Sequence, residues 1–266
     1  MRTLFVALLL LTSTAVHSER FTFAIVPQQS ASRLAELWTP IMDHLSEKTG
    51  HEFVFVTAVD IPTFEQRLKN GEYDFSYMNP YHFTVFNQSP GYQAIAKAKD
   101  KQIKGIIVAR KDSNIQSLGQ LNGSQLAFPS PAAFAATILT QAELNGRNVE
   151  FTPKYVSSHD SVYLSVARGL FPAGGGVMRT FRSLDEEVRS QLTPIWTTNG
   201  YTPHAIAAHP DLAPKVVQEI QQLLVNLHES PMGLNQLERL KIKGFVSATN
   251  NDWDDVRALN IQTLEP

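Results

Sequence analysis

The chain has no cysteine. That absence excludes a disulfide framework, a thiolate metal site and a cysteine nucleophile. Charge of either sign is scarce in the balance: the formal net charge is −2, which gives no electrostatic footprint for nucleic acid or for an acidic membrane surface. Long hydrophobic runs are also missing. The longest, Leu4 to Leu11, is too short to span a bilayer. No GxxxxGK[ST] phosphate loop and no GxSxG elbow occur, and His82, His159, His204 and His209 do not fall at a zinc-like spacing. These gaps leave no obvious nucleophile, metal or cofactor to expect, and short-period repeats and low-complexity segments are lacking too.

What is present fits a globular protein. The 266 residues are 43% hydrophobic and 18% charged, enough for one large or two medium domains. Arg2, the apolar run to Leu11 and the small residues up to Ser18 form a signal-peptide pattern, with cleavage expected after Ser18. The mature protein is therefore expected to be exported, soluble, periplasmic and without a lipid tether. A monomer is expected.

Arg20 to Val26 reads as a strand, followed by a helix over 33–50 with Leu34, Leu37, Trp38, Ile41, Met42 and Leu45 on one face. A strand over 51–58, a helix over 61–70 and a strand over 73–77 complete a β-α-β-α-β pattern, which points to a parallel sheet wound with helices. Pro80 ends that last strand because it cannot donate to a ladder. Strands over 92–98 and 104–109 flank the charged turn Lys99-Asp100-Lys101, read as a hairpin-like edge. A second series follows: a strand over 125–128, a helix over 132–145, a strand over 150–156, a helix to Gly169 and a strand into Gly174-Gly175-Gly176. Strands at 192–197 and 202–209, a helix over 214–230, and a tail of loop, short strand and closing helix complete the chain. Two α/β lobes with crossing connections and a cleft between them is the natural reading. Lobe 1 is assigned to 19–98 and 201–266, and lobe 2 to 99–200.

Ligands in open α/β sheets sit beyond the carboxyl ends of strands. Ser76, Tyr77, Asn79, Tyr81 and His82 crowd such an end, either as a cleft wall or as ordinary packing. Three strand-to-helix junctions offer helix N-termini to an anion: Gln28-Gln29-Ser30, Ser130-Pro131-Ala132 with Ala133, and His159-Asp160-Ser161 after Ser158. Arg179-Thr180, after the triple glycine, adds a guanidinium fork. The glycines allow close backbone approach or a positive φ. His159-Asp160 reads either as an acid/base pair or as a helix cap, the latter being the commoner use.

FAIVPQQSASRL, YDFSYMNPYHF, GSQLAFPSP and SSHDSVYLSVARGL resemble segments of the periplasmic substrate-binding proteins of phosphate/phosphite/phosphonate ABC transporters, in order and across nearly the whole mature chain. The resemblance implies a two-lobed type II periplasmic binding protein fold, each lobe a mostly parallel sheet flanked by helices. It implies a non-enzymatic receptor for a small oxyanion, partnered by an inner-membrane ABC permease or, in some relatives, by a sensor kinase. Tyr77 matches a ligand-contacting tyrosine, and Ser158-His159-Asp160 matches a Ser-His-Glu segment. The family's Ser-Thr-Ser run is replaced by Ser130-Pro131-Ala132. In Gly200-Tyr201-Thr202-Pro203, Thr202 stands where aminophosphonate binders carry a carboxylate. Replacing Tyr77 with Ala is expected to abolish the ligand response and to leave the free protein's melting midpoint within a few degrees.

Overall fold

The computed structural model describes residues 18–264; the expected signal peptide lies outside them apart from Ser18. β1 (Arg20–Ile25) leads into α1 (Ala31–Thr49). Ser30 caps that helix by accepting the Arg33 N–H at 3.3 Å, and Gly50 stops it at φ 75°. β2 (Glu52–Val56), α2 (Ile61–Lys69), β3 (Phe75–Met78), α3 (Pro80–Phe86) and β4 (Gln93–Ala98) follow. The next run is β5 (Gly105–Arg110), β6 (Ser124–Phe128), α4 (Thr140–Gly146), β7 (Phe151–Tyr155) and α5 (His159–Ala167). β8 (Ala173–Val177), α6 (Met178–Arg182), α7 (Glu186–Arg189) and β9 (Leu192–Thr197) continue it. β10 (Ala205–Ala208), α8 (Pro214–Val225), α9 (Pro231–Arg239), β11 (Phe245–Ser247) and α10 (Asp254–Arg257) end the described chain.

The strands form two sheets. One has the order β11-β4-β10-β3-β1-β2, the other β7-β6-β8-β5-β9. In the first, β1 pairs in parallel with β2 and β3, while β10 runs antiparallel between β3 and β4. In the second, β6 is parallel to β7 and β8, and β5 is antiparallel to β8 and β9. The chain passes between the sheets twice, after β4 and after β9. The two passages are stitched by an isolated antiparallel bridge, Ile103 to Tyr201. Lys99-Asp100-Lys101 is thus not a hairpin edge: β4 and β5 belong to different sheets, and the turn is a crossing.

The helix expected over 132–145 is irregular. Phe134–Leu139 is π-helical, and only then does α4 begin. Thr137 Oγ1 donates to the Ser130 carbonyl at 2.7 Å and Thr140 Oγ1 to the Ala136 carbonyl at 2.6 Å, so side chains satisfy backbone groups that a regular helix would pair. This segment lies against β5 and β8, and glycines make the approach possible. A Cβ on Gly105 would stand 2.1 Å from the Ala135 carbonyl oxygen, and one on Gly175 would stand 1.9 Å from that of Ala136. A Cβ on Gly176 would meet the Tyr163 hydroxyl at 2.2 Å. The triple glycine therefore serves close packing within a strand, not a turn with positive φ.

The tail holds more helix than expected, since α9 was read as loop. Its Gln236 donates to the Leu37 carbonyl at 2.9 Å, fixing the tail to α1.

Candidate functional site

The carboxyl ends of β6, β7 and β8 open toward the first sheet. Ser130 follows β6, His159 opens α5 after β7, and Arg179 sits in α6 just after β8. Facing them are Gln28 beyond β1 and Tyr77 on β3. Because β10 is antiparallel, its starting end lies at the same edge, where Ala205 pairs with Met78, and this brings in His204.

These groups form one network. Arg179 donates to Gln28 Oε1 at 3.1 Å, which fixes the Gln28 amide; its Nε2 lies 2.9 Å from His204 Nε2. An arginine only donates, so Gln28 Nε2 is the donor to His204, whose Nε2 accepts as neutral imidazole. The His204 ring stacks on Tyr77 with centroids 4.8 Å apart and planes at 14°. Trp38 backs Tyr77 at 4.8 Å. A cavity of about 230 Å³ lies here, lined by Gln28, Tyr77, His204 and Arg179 together with the first crossing segment.

His159 lies within range of the Arg179 charge and Ser130 follows the adjacent strand β6; they are 1% and 2% exposed, and neither lines the cavity. Neither ring nitrogen of His159 has a hydrogen-bond partner, and neither has Ser130 Oγ. Buried polar atoms without partners cost about 1–3 kcal/mol each, which makes these three atoms candidates for contact with a polar ligand. The electrostatics give its sign. Burial, then the charge of Arg179, pushes the His159 imidazole down to about 3. Burial pushes His204 well below the usual histidine range, with Arg179, His82, Lys101 and His159 adding to it. Burial pushes the Tyr77 phenol up, and the nearby Arg179 guanidinium offsets part of that. Arg179 is the cation common to all three groups.

A stability consequence follows. Because His159 titrates near 3 in the folded chain and near 6.5 when unfolded, the unfolded chain takes up the proton first. Stability from this group is fully present above about 6.5 and is lost as the pH falls toward 3, costing roughly 2 kcal/mol by pH 5. His204 acts in the same direction. The melting midpoint of the free protein should fall between pH 7 and pH 5, and His159→Asn should flatten that fall. An unchanged pH profile in the variant would contradict the assignment.

The other sequence-derived candidates are placed as follows. Asn79 caps α3, accepting the His82 N–H at 2.8 Å, and donates across the cleft to the Ala132 carbonyl at 3.1 Å. Gln29 also crosses, donating to Ser183 Oγ at 2.9 Å. His82 is paired with Glu65 at 2.9 Å on the far side of Asn79. Ser30 caps α1, and Ser158 caps α5 by accepting the Ser161 N–H at 3.1 Å. The Ala133 N–H is used by the Ser130 carbonyl at 3.3 Å, so it is not an open donor. The Asp160 carboxyl is pushed up by burial and by Asp185.

Four candidates are engaged away from the cavity. The Tyr81 hydroxyl accepts the Thr263 and Leu264 N–H groups at 2.8 Å. Thr180 Oγ1 donates to the Val177 carbonyl at 3.0 Å inside the second lobe. Tyr201 is the bridge residue between the crossings and packs edge-on against Phe134 at 5.8 Å. Thr202 is tied to Asp255 and Asp252. Tyr77 is only 7% exposed, so Tyr77→Ala would also remove about 3–5 kcal/mol of packing and would not spare the free protein. Sequence reasoning passed over His204, Lys101 and Lys241. The available signal is Pro203-His204 at the start of an apolar strand.

The fold and this site can be set beside known proteins. The family profile described as "ABC transporter, phosphonate, periplasmic substrate-binding protein" matches residues 23–253. The phosphate-import protein PhnD of Mycolicibacterium smegmatis is 24% identical over 272 residues, covering 90% of this chain and 84% of that protein. Among solved structures, PhnD1 of Prochlorococcus marinus in complex with methylphosphonate is similar with a TM-score of 0.84 at 19% identity, covering 91% of this chain and 98% of that one. A binding protein component of an ABC phosphonate transporter from Pseudomonas aeruginosa also gives 0.84, at 16% identity and with 92% and 86% of the two chains covered. With two mixed α/β lobes and a profile match across nearly all of the described residues, this chain belongs to the phosphonate-type periplasmic substrate-binding proteins of ABC transporters, a non-enzymatic binding family.

Proposed function

We propose that this protein captures a phosphonate- or phosphate-type oxyanion between its lobes in the periplasm, after removal of residues 1–18, and delivers it to an inner-membrane permease. The observation that carries this reading is His159, buried with both ring nitrogens unpartnered within range of the Arg179 charge, together with the unpartnered Ser130 hydroxyl at the end of the adjacent strand β6. An oxyanion supplies acceptors for the Ser130 hydroxyl, for one His159 N–H and for the Arg179 fork, and it compensates the Arg179 charge that adds to burial in depressing both imidazoles. The methylphosphonate complex of the Prochlorococcus relative and the phosphate-import name of the mycobacterial one support the same ligand class. In this reading the lobes are 19–98 with 201–266, and 99–200, and they hinge at the two crossings. Gln28, Asn79 and Gln29 hold them closed, because each bonds to the opposite lobe.

Isothermal titration with methylphosphonate and with phosphate tests it. At least one should bind to the wild-type protein and raise its melting midpoint by mass action. Tyr77→Phe, which keeps the ring against His204 and Trp38, should weaken binding by about tenfold or more if the hydroxyl meets the charged ligand. Absence of heat and of any midpoint shift with both ligands would refute the proposal.

A further inference from the structure

The cavity beside the buried oxyanion site is larger than that site requires. Its volume is about 230 Å³, whereas a bare tetrahedral oxyanion has only five heavy atoms. The remaining space has a one-sided chemistry. Lys101, Lys104, Arg179, Arg182 and Lys241 line it, and among the described residues no carboxylate does. Asp100 and Asp255 line a separate depression that shares Ala98, Lys101, Gln102 and Pro203 with the cavity.

Resting on the oxyanion reading above, we infer that the ligand is a phosphonate or phosphate ester carrying a second anionic group, such as a carboxylate, which the lysines of the first crossing and of Lys241 receive. An ammonium-bearing phosphonate is rejected by the same groups. Two further observations agree. Lys101 Nζ donates to the Lys241 carbonyl at 2.8 Å, so the crossing segment and the turn after α9 are held together as one wall. Burial and the charge of Arg179 hold the Lys101 ammonium down to about 8, and a carboxylate placed between the two cations reverses that. Like charges left facing one another across a cavity are costly, and a dianionic ligand with its charges at two ends neutralises both clusters.

Titration calorimetry with methylphosphonate, phosphonoacetate, 3-phosphonopropionate and 2-aminoethylphosphonate tests this. One of the two carboxylated ligands should bind at least tenfold more tightly than methylphosphonate, and the amine at least tenfold more weakly. In the double variant Lys101→Gln/Lys241→Gln, the ratio of carboxylated ligand to methylphosphonate affinity should fall toward one. Equal or tighter binding of methylphosphonate, or a ratio unmoved by the double variant, overturns this inference and leaves the oxyanion reading standing. Binding of none of the four overturns both.

Discussion

Replacing Arg179 with Met should raise the Kd for methylphosphonate by about 30-fold or more, since hydrogen bonds to charged groups contribute about 1.5–3 kcal/mol each. Arg179 is the shared element of the site. It bonds to Gln28 at 3.1 Å, and its charge acts on His159, His204, Tyr77 and Lys101 together. In the free protein this cation repels the neighbouring Lys101 ammonium but bonds across the cleft to Gln28 Oε1. Its removal should therefore move the free protein's melting midpoint at pH 6 by only a few degrees, while ligand binding collapses. A general packing role would move both quantities downward. Arg179→Lys should give an intermediate loss, because it keeps the charge and forfeits the planar fork. Calorimetric Kd values for the two variants decide the matter; a change within twofold for Arg179→Met would remove this residue from the site.

Gly175→Ala should be the most damaging single methyl group in the second lobe. Its Cβ would lie 1.9 Å from the Ala136 carbonyl oxygen and 2.7 Å from the Phe128 ring. The first contact is with backbone, so no rotamer change relieves it. Overpacking commonly costs about 1–3 kcal/mol, and a clash that moves a strand against a π-helical segment belongs at or above the top of that range. For a protein of this size about 3 kcal/mol corresponds to a drop in melting midpoint of roughly 6–12 °C. Because β8 leads straight into α6, the displacement should also move Arg179 and weaken ligand binding. Gly119→Ala is the control, since nothing lies within 4 Å of its Cβ and it should be nearly neutral. Thermal melts of both variants, with and without ligand, separate local crowding from a general intolerance of alanine.

The first half of the fold was legible because its signals are local. α1 shows its apolar face at helical spacing, Gly50 marks its end, and Asn79-Pro80 marks the passage from β3 to α3. Where the deciding contact is distant, the sequence says less. Lys99-Asp100-Lys101 has turn composition, with Asp100 at φ 50°, yet nothing local tells which sheet the next strand joins. The π-helical stretch looks like an ordinary alanine-rich helix until Gly105 and Gly175 are seen against it. The site divides the same way. Tyr77, Ser130, His159 and Arg179 stand at strand ends and helix starts, where position alone points to them. His204 enters because β10 runs backward between β3 and β4, and Lys241 because the tail folds onto the first crossing. Tyr81 and Thr202 looked equally placed, but their polar atoms are taken up by the tail.

The position of β10 also bears on the order in which this chain can assemble. β10 is the middle strand that joins β3 to β4, yet it is made only after every strand of the other sheet. The five-stranded sheet is contiguous and can form as soon as Leu192–Thr197 is available. Until Ala205–Ala208 arrives, the six-stranded sheet remains two unjoined fragments with bare edges, β1 to β3 and β4 alone. During synthesis the five-stranded sheet can therefore be completed before the six-stranded one, and a chain truncated before residue 205 would display those edges to whatever neighbour could pair with them.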